Sequence, residues 1–367
     1  MRQSLQIVMV AARYFPFLGG IETHIHEVAK RMVALGHHVV VLTTDPSGVL
    51  PQYEISNGIN IKRVKAWPKN RDYYFAPRIY KEIAQAECDI IHFQGYHNFV
   101  PPIGMLAAIR TGIPFVLTFH SGGHSSRLRN AIRSTQIALL KPLAARADYL
   151  IGVSGYEAEF FSQQMGLAPE RFAIVPNGAS LPPPSDPPPV MDPHLILSVG
   201  RLEYYKGHHR AVEAFPALLQ RVPDARLQIV GSGPYETELR ALVNKLKLGH
   251  AVSFISIPSA ERQRLSDLLC SAGLVVLLSD YEAHPVAVLE ALSVQCPVLV
   301  TDTSGLRELA QKGLCRAIPL LASAEMIAEA ITEELTKEHQ PTTITLANWN
   351  NCTNQLLEIY ETVLNRY

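Results

Sequence analysis

Leu181-Pro182-Pro183-Pro184-Ser185-Asp186-Pro187-Pro188-Pro189 cuts the chain into two halves. A stretch so rich in proline admits neither a helix interior nor a central strand, so a domain boundary is predicted there. Upstream, short β-branched runs at 5–11, 38–43, 90–93, 115–119, 149–153 and 172–175 alternate with longer helical patterns, the first over about 22–35. Downstream the same grammar resumes, with runs at 195–199, 226–230, 251–254, 274–278 and 297–300. The runs are almost continuously apolar, as strands covered on both faces are. Each half is therefore predicted to hold a parallel, doubly wound α/β sheet. The expected divisions are 1–180, a proline-rich linker at 181–192, 193–345, and a closing helix over 346–367 that carries Leu356, Leu357, Ile359, Tyr360 and Val363 at helical spacing.

Composition narrows the function. With 33 Lys and Arg against 33 Asp and Glu in 367 residues the formal charge is zero, which argues against a nucleic-acid binder driven by phosphate neutralisation. With 47% hydrophobic and 18% charged residues, the chain has ample material for two cores. Cys88, Cys270, Cys296, Cys315 and Cys352 are scattered without metal-type or disulfide-type spacing and read as reduced thiols of a cytosolic protein. The apolar start at 7–12 lacks the length and cleavage site of a signal peptide, and no segment reaches the roughly 18 apolar residues of a spanning helix. The expectation is a cytoplasmic protein, with peripheral contact to a membrane left open.

In doubly wound sheets ligands sit beyond the carboxyl ends of the strands, and three loops there carry chemistry. After the first run, Gly19-Gly20 precedes a helix, where bare amides and the helix dipole suit an anion. After the run at 195–199, Gly200-Arg201-Leu202-Glu203-Tyr204-Tyr205-Lys206 brings two cations to a strand end, able to grip a diphosphate by charge-assisted hydrogen bonds. After the run at 274–278 come Glu282 in a loop and Glu290 in the helix that follows, read as about two helical turns apart and suited to the hydroxyl pairs of a sugar or ribose. Glu290 lies among Val288, Leu289, Ala291 and Leu292, where a carboxylate needs a partner.

These residues resemble one family. Gly19-Gly20-Ile21-Glu22, Ile174-Val175-Pro176-Asn177-Gly178, Gly200-Arg201-Leu202 with Lys206-Gly207, Val230-Gly231-Ser232-Gly233-Pro234 and the Glu282–Glu290 pair stand in the order found in retaining glycosyltransferases of family 4. The resemblance implies the GT-B fold: two facing Rossmann-like doubly wound domains with an interdomain cleft. It also implies a metal-independent, retaining hexosyltransferase acting without a cofactor on a nucleotide diphosphate sugar and a lipid, saccharide or small-molecule acceptor. In that scheme His120, Arg201, Lys206 and Glu282 are catalytic, with His120 beside the anomeric centre. Gly19, Gly20, Gly200, Arg201, Lys206, Glu282, Ala283, His284, Pro285, Val286 and Glu290 bind the donor, Glu290 through the ribose. The resemblance further implies attack on the face from which the diphosphate departs.

The chain departs from the family pattern at Ala283-His284, where a smaller residue and an aromatic ring are common, at Ser256 and at Cys270-Ser271-Ala272-Gly273. The donor sugar and base therefore stay open. So do other readings: a GT-B nucleotide-sugar epimerase, a phosphorylase carrying pyridoxal phosphate, or a non-catalytic two-domain ligand-binding protein. A dinucleotide oxidoreductase fits less well, because Gly19-Gly20 lacks the GxGxxG spacing. The pairs His24 and His26, His92 and His97, and His120 and His124 lack metal-type spacing, so no metal is expected. Two basic stretches, Lys62, Arg63, Lys65, Trp67, Lys69, Arg71, Tyr73 and Tyr74, and Arg127, Arg129, Arg133, Lys141 and Arg146, suit an anionic membrane or an ordinary solvated surface.

Overall fold

The computed structural model describes residues 4–17, 19–69, 74–121, 127–258, 261–337 and 346–367, with the backbone alone for 127–132. Contacts divide the chain into two units. The first takes the residues up to Ser121, Ala131–Gly178 and Ala347–Tyr367; the second takes Ala179–Leu346 with the short stretch that ends at Asn130.

The first unit runs β1 (Gln6–Ala11), α1 (Gly20–Ala34), β2 (His38–Asp45), β3 (Tyr53–Ser56), β4 (Ile59–Lys65), α2 (Arg78–Ala84), β5 (Ile90–Gln94), α3 (Val100–Thr111), β6 (Phe115–Thr118), α4 (Arg127–Ala144, which joins this unit from Ala131), β7 (Tyr149–Gly152), α5 (Gly155–Met165) and β8 (Phe172–Ile174). Its sheet has the order β3-β4-β2-β1-β5-β6-β7-β8, parallel except for the β3–β4 hairpin. The central strands β1 and β5 are buried along almost their whole length, hence their unbroken apolar character.

The second unit runs β9 (Asp192–Val199), α6 (His208–Arg221), β10 (Arg226–Val230), α7 (Glu236–Lys245), β11 (Val252–Ile255), α8 (Arg262–Ser271), β12 (Ala272–Leu277), α9 (Val286–Ser293), β13 (Val298–Thr301), α10 (Ser304–Gln311), β14 (Arg316–Ile318) and α11 (Ala324–Thr336). Its six strands are all parallel, in the order β11-β10-β9-β12-β13-β14. Apolar clusters fill both of its faces, one built on Phe215, Leu227 and Ile331 and the other on Leu197, Leu289 and Leu306. Each unit is thus the doubly wound α/β sheet that the sequence predicts.

The last helix, α12 (Trp349–Leu364), returns to the first unit, where the Asn348 side chain caps it by accepting from the Asn351 N–H at 2.8 Å. It packs on α1, and a Cβ at Gly178 would lie 2.2 Å from the Trp349 nitrogen, so only glycine lets these segments meet.

The fold differs from expectation at its edges. Residues 62–65 belong to β4, a strand whose partners the continuous-run criterion misses because it alternates buried and exposed positions. Its cations are engaged inside the unit: Lys62 pairs with Glu82, and buried Arg63 pairs with Glu54 at 2.7 Å and donates to the Phe15 carbonyl at 2.8 Å. The strand β9 begins three residues early, at Asp192. Among the described residues no helix is long and apolar enough to cross a membrane.

Candidate functional site

In the second unit β9 runs out through Gly200 and Arg201 into a single 3-10 turn, Tyr204–Lys206, and Gly207 then opens α6. Gly207 has φ +72°, and a Cβ there would sit 1.8 Å from the Leu278 carbonyl oxygen. This close approach lays the loop after β9 against the end of β12 and delivers Lys206 to Glu282, Nζ to Oε1 at 2.5 Å. Ser279 Oγ donates to the same carboxylate oxygen at 2.9 Å. Burial alone would pull the Lys206 ammonium down, but the Glu282 carboxylate beside it holds its pKa above the usual lysine value, so it stays charged.

Arg201 stands nearly half exposed at the strand end, 3.2 Å from Glu203. Its backbone rests on His208. The Nε2 of that ring donates to the Arg201 carbonyl at 3.2 Å, so Nδ1 accepts from Ser198 Oγ at 2.7 Å. Burial lowers the His208 pKa to about 4, which keeps the ring neutral.

The loop after β12 carries Glu282, buried Ala283 and His284, whose electrostatic neighbours are Glu308 on α10 and Lys312 at its C-cap; burial lowers its pKa to about 4. Pro285 occupies the N-cap of α9 and Val286 its first position. The helix therefore starts four residues after Glu282, and Glu290 lies about 6 Å along its axis from Val286. Glu290 is buried and pairs with Arg262 of α8, which also donates to the Ser180 carbonyl at 3.2 Å. Arg262 carries no sequence signal as Glu290's partner, because the pair forms between two different helices only on folding.

In the first unit Gly19 is the N-cap of α1 and Gly20 its first residue. The Glu22 carboxylate folds back beside Gly19, where a Cβ would meet Oε2 at 2.5 Å, and Arg13 Nε pairs with Glu22 Oε1 at 3.0 Å. Arg13, a cation at this turn, was not legible beforehand, since it stands alone in the sequence.

His120 ends the run after β6 with φ +47°. Its Nε2 lies 2.6 Å from Gln94 Oε1 at the end of β5, and its ring meets the edge of His24 at 4.6 Å between centroids. His24 Nδ1 bonds Asn177 Oδ1 at 2.9 Å, and His92 bonds Tyr360 OH at 2.5 Å and Thr118 Oγ1 at 2.7 Å. Sequence spacing separates these three histidines, whereas adjacent parallel strands and α1 gather them. His124, the expected companion of His120, falls outside the described residues. Glu157 accepts from the backbone N–H groups of Ser121 and of Val153, the latter at 2.7 Å, and so anchors the residue after His120.

Burial lowers the His24 pKa to about 4 and those of His92 and His120 well below the usual histidine value. The unfolded chain, whose histidines titrate near 6.5, therefore takes up protons first as pH falls. Stability is expected to be full above about pH 6.5 and to decline towards pH 4, on the order of 1 kcal/mol per pH unit for each buried histidine of this kind. Denaturant midpoints at pH 7 and pH 5 check this, and equal midpoints would contradict it. Among the described residues no group of three His, Cys, Asp or Glu side chains is arranged to hold a metal ion.

The structure thus joins Lys206 with Glu282 and leaves Arg201 exposed next to them, while Glu290 takes Arg262 as its partner. Comparison with known proteins adds the family. Residues 18–181 match Glycosyltransferase Family 4, and residues 185–349 match Glycosyl transferases group 1. The chain is 27% identical to a glycogen synthase of Mycobacterium tuberculosis over 338 residues, covering 84% of this chain and 81% of that one. It is 26% identical over 310 residues to the GDP-mannose:cellobiosyl-diphosphopolyprenol alpha-mannosyltransferase of Xanthomonas campestris, covering 81% and 79%. Among solved structures, the sucrose-phosphate synthase from Thermosynechococcus elongatus is similar with a TM-score of 0.77 and 19% identity, each chain covered fully at 100%.

Proposed function

Since the chain belongs to the GT-B glycosyltransferases of the family 4 type, we propose that it moves a hexosyl unit from a nucleoside diphosphate sugar to an acceptor hydroxyl, with retention and without a metal. The observation that carries this reading is the buried Lys206–Glu282 pair at the carboxyl ends of β9 and β12, with Arg201 exposed in the same loop. In the reaction the bond from the anomeric carbon to the diphosphate oxygen breaks, and its electron pair stays on the leaving group. Arg201 and Lys206 neutralise that growing charge, which is the largest electrostatic demand of the step. The acceptor oxygen bonds to the anomeric carbon on the same face, and its proton passes to the departing phosphate. Glu282 holds the sugar, and Glu290 takes the ribose hydroxyls in exchange for Arg262.

In this reading the Gly19–Gly20 amides are assigned to the diphosphate, and His120, a neutral imidazole, to the reacting carbon. The relatives support a nucleotide-sugar donor in so far as one of them is named for GDP-mannose. A lipid, a saccharide or a small molecule fits the acceptor role, and a peripheral place at an anionic membrane is compatible with it. The comparisons favour neither the epimerase nor the non-catalytic binding protein.

Glu290→Ala tests the donor assignment. A ribose contact is made equally in the ground and transition states, so its loss is expected to raise the donor KM about tenfold with kcat little changed. Steady-state kinetics with the donor that the enzyme accepts would show this; an unchanged KM would remove Glu290 from the site.

A further inference from the structure

Six non-glycine residues among those described have positive φ: Asn57, Tyr74, His120, Lys247, Gln295 and Ser304. Asn57 precedes Gly58 in the β3–β4 hairpin, and Lys247 and Gln295 follow helices, all places where the left-handed conformation is an ordinary solution. Ser304 is different. It is the first residue of α10, separated from the end of β13 by Asp302 and Thr303, with φ +45°, and it is buried. A helix start does not call for this conformation, and a side chain adopts it at a cost that glycine would avoid.

What the conformation achieves is visible in the hydrogen bonds. The Ser304 hydroxyl accepts from the Glu282 N–H at 2.8 Å, and the Gly305 N–H donates to the Glu282 carbonyl at 2.8 Å. Gly305 has no room for a side chain, because a Cβ would lie 1.8 Å from the Ala283 oxygen. Thr301 Oγ1 donates to the Ser279 carbonyl at 2.5 Å and Thr303 Oγ1 to the Asp280 carbonyl at 3.1 Å. Residues 301–305 thus form a saddle on which the whole loop from Ser279 to Ala283 is seated. Both peptide groups flanking the Glu282 Cα are fixed by it, while Lys206 and Ser279 fix the carboxylate.

We propose that Ser304 is a positioning residue for Glu282: its strained backbone places the hydroxyl that holds the Glu282 amide, and through it the carboxylate's aim. The assignment deepens the reading of Glu282 as a sugar-contacting group and rests on it. Strain kept for positioning has a signature that a purely structural serine lacks, since relieving it raises stability and lowers activity together.

Ser304→Gly relaxes the backbone and removes the hydroxyl, whereas Ser304→Asn tolerates the left-handed conformation and offers a side-chain oxygen in its place. The glycine variant is expected to melt at or above the wild-type temperature, to exchange the Glu282 amide at least tenfold faster in hydrogen-exchange measurements, and to lose at least fivefold in kcat. The asparagine variant is expected to recover part of both losses. Wild-type amide exchange and wild-type kcat in Ser304→Gly would overturn the proposal. Glu282→Gln, measured alongside, separates the two levels: wild-type turnover there would sink the sugar-contacting role of Glu282, while the exchange data would still decide whether Ser304 holds the amide.

Discussion

Lys206→Ala is expected to reduce turnover at least a hundredfold and to destabilise the second unit by about 3 kcal/mol. Two effects combine. A charge-assisted contact to a diphosphate contributes about 1.5–3 kcal/mol, which alone is roughly tenfold to a hundredfold in rate. The same substitution leaves the Glu282 carboxylate, whose side chain is 9% exposed, without the cation on its Oε1 atom. An uncompensated buried charge destabilises the fold and lets the carboxylate turn away from the sugar it is proposed to hold. Lys206→Met combined with Glu282→Gln separates the two, because it removes both charges: stability is expected to return towards wild type and turnover is not. Melting curves and initial rates of the single and double variants check this. Turnover of Lys206→Ala within a few-fold of wild type would remove the lysine from the reaction.

Gly207→Ala is expected to be among the most damaging single-methyl changes in the second unit. The added carbon would lie 1.8 Å from the Leu278 carbonyl oxygen, a backbone atom that no rotamer change can move, and φ +72° adds strain of its own. The loop from Arg201 to Lys206 would have to lift from the end of β12, separating Lys206 from Glu282. A loss of at least about 3 kcal/mol in stability, with activity abolished, is expected. Gly249→Ala is the control, since a Cβ there meets nothing within 4 Å. Chemical denaturation of the two variants would show the contrast; equal midpoints would mean that the loop does not need to lie against β12.

Much of this was legible because the relevant signals are local. The buried parallel strands are continuous apolar runs, and Lys206-Gly207 and Glu282 each stand one loop beyond such a run, so pattern alone placed them at the same edge of a sheet. Signals that arise only on folding were not legible. Arg262 reaches Glu290 from another helix, and Arg13 reaches Glu22 across the glycine turn. The cluster of His24, His92 and His120 is made by neighbouring strands of the sheet and by α1, whose order the chain does not state. The strand β4 alternates in burial, and its Lys62 and Arg63 looked like free surface charge until Glu82 and Glu54 were seen opposite them. Ser304 gave no signal at all, because a positive φ at a helix start is a property of the folded backbone.

The proposed grip of Arg201 and Lys206 on the diphosphate is tested most directly by titration calorimetry of uridine, guanosine and adenosine diphosphates with the full chain in the presence of a chelator, for wild type and for the Lys206→Met, Glu282→Gln double variant. One diphosphate is expected to bind the wild-type protein without added metal and to bind the double variant at least tenfold more weakly. Equal affinity in both proteins, or binding that appears only when a divalent ion is restored, would contradict the assignment.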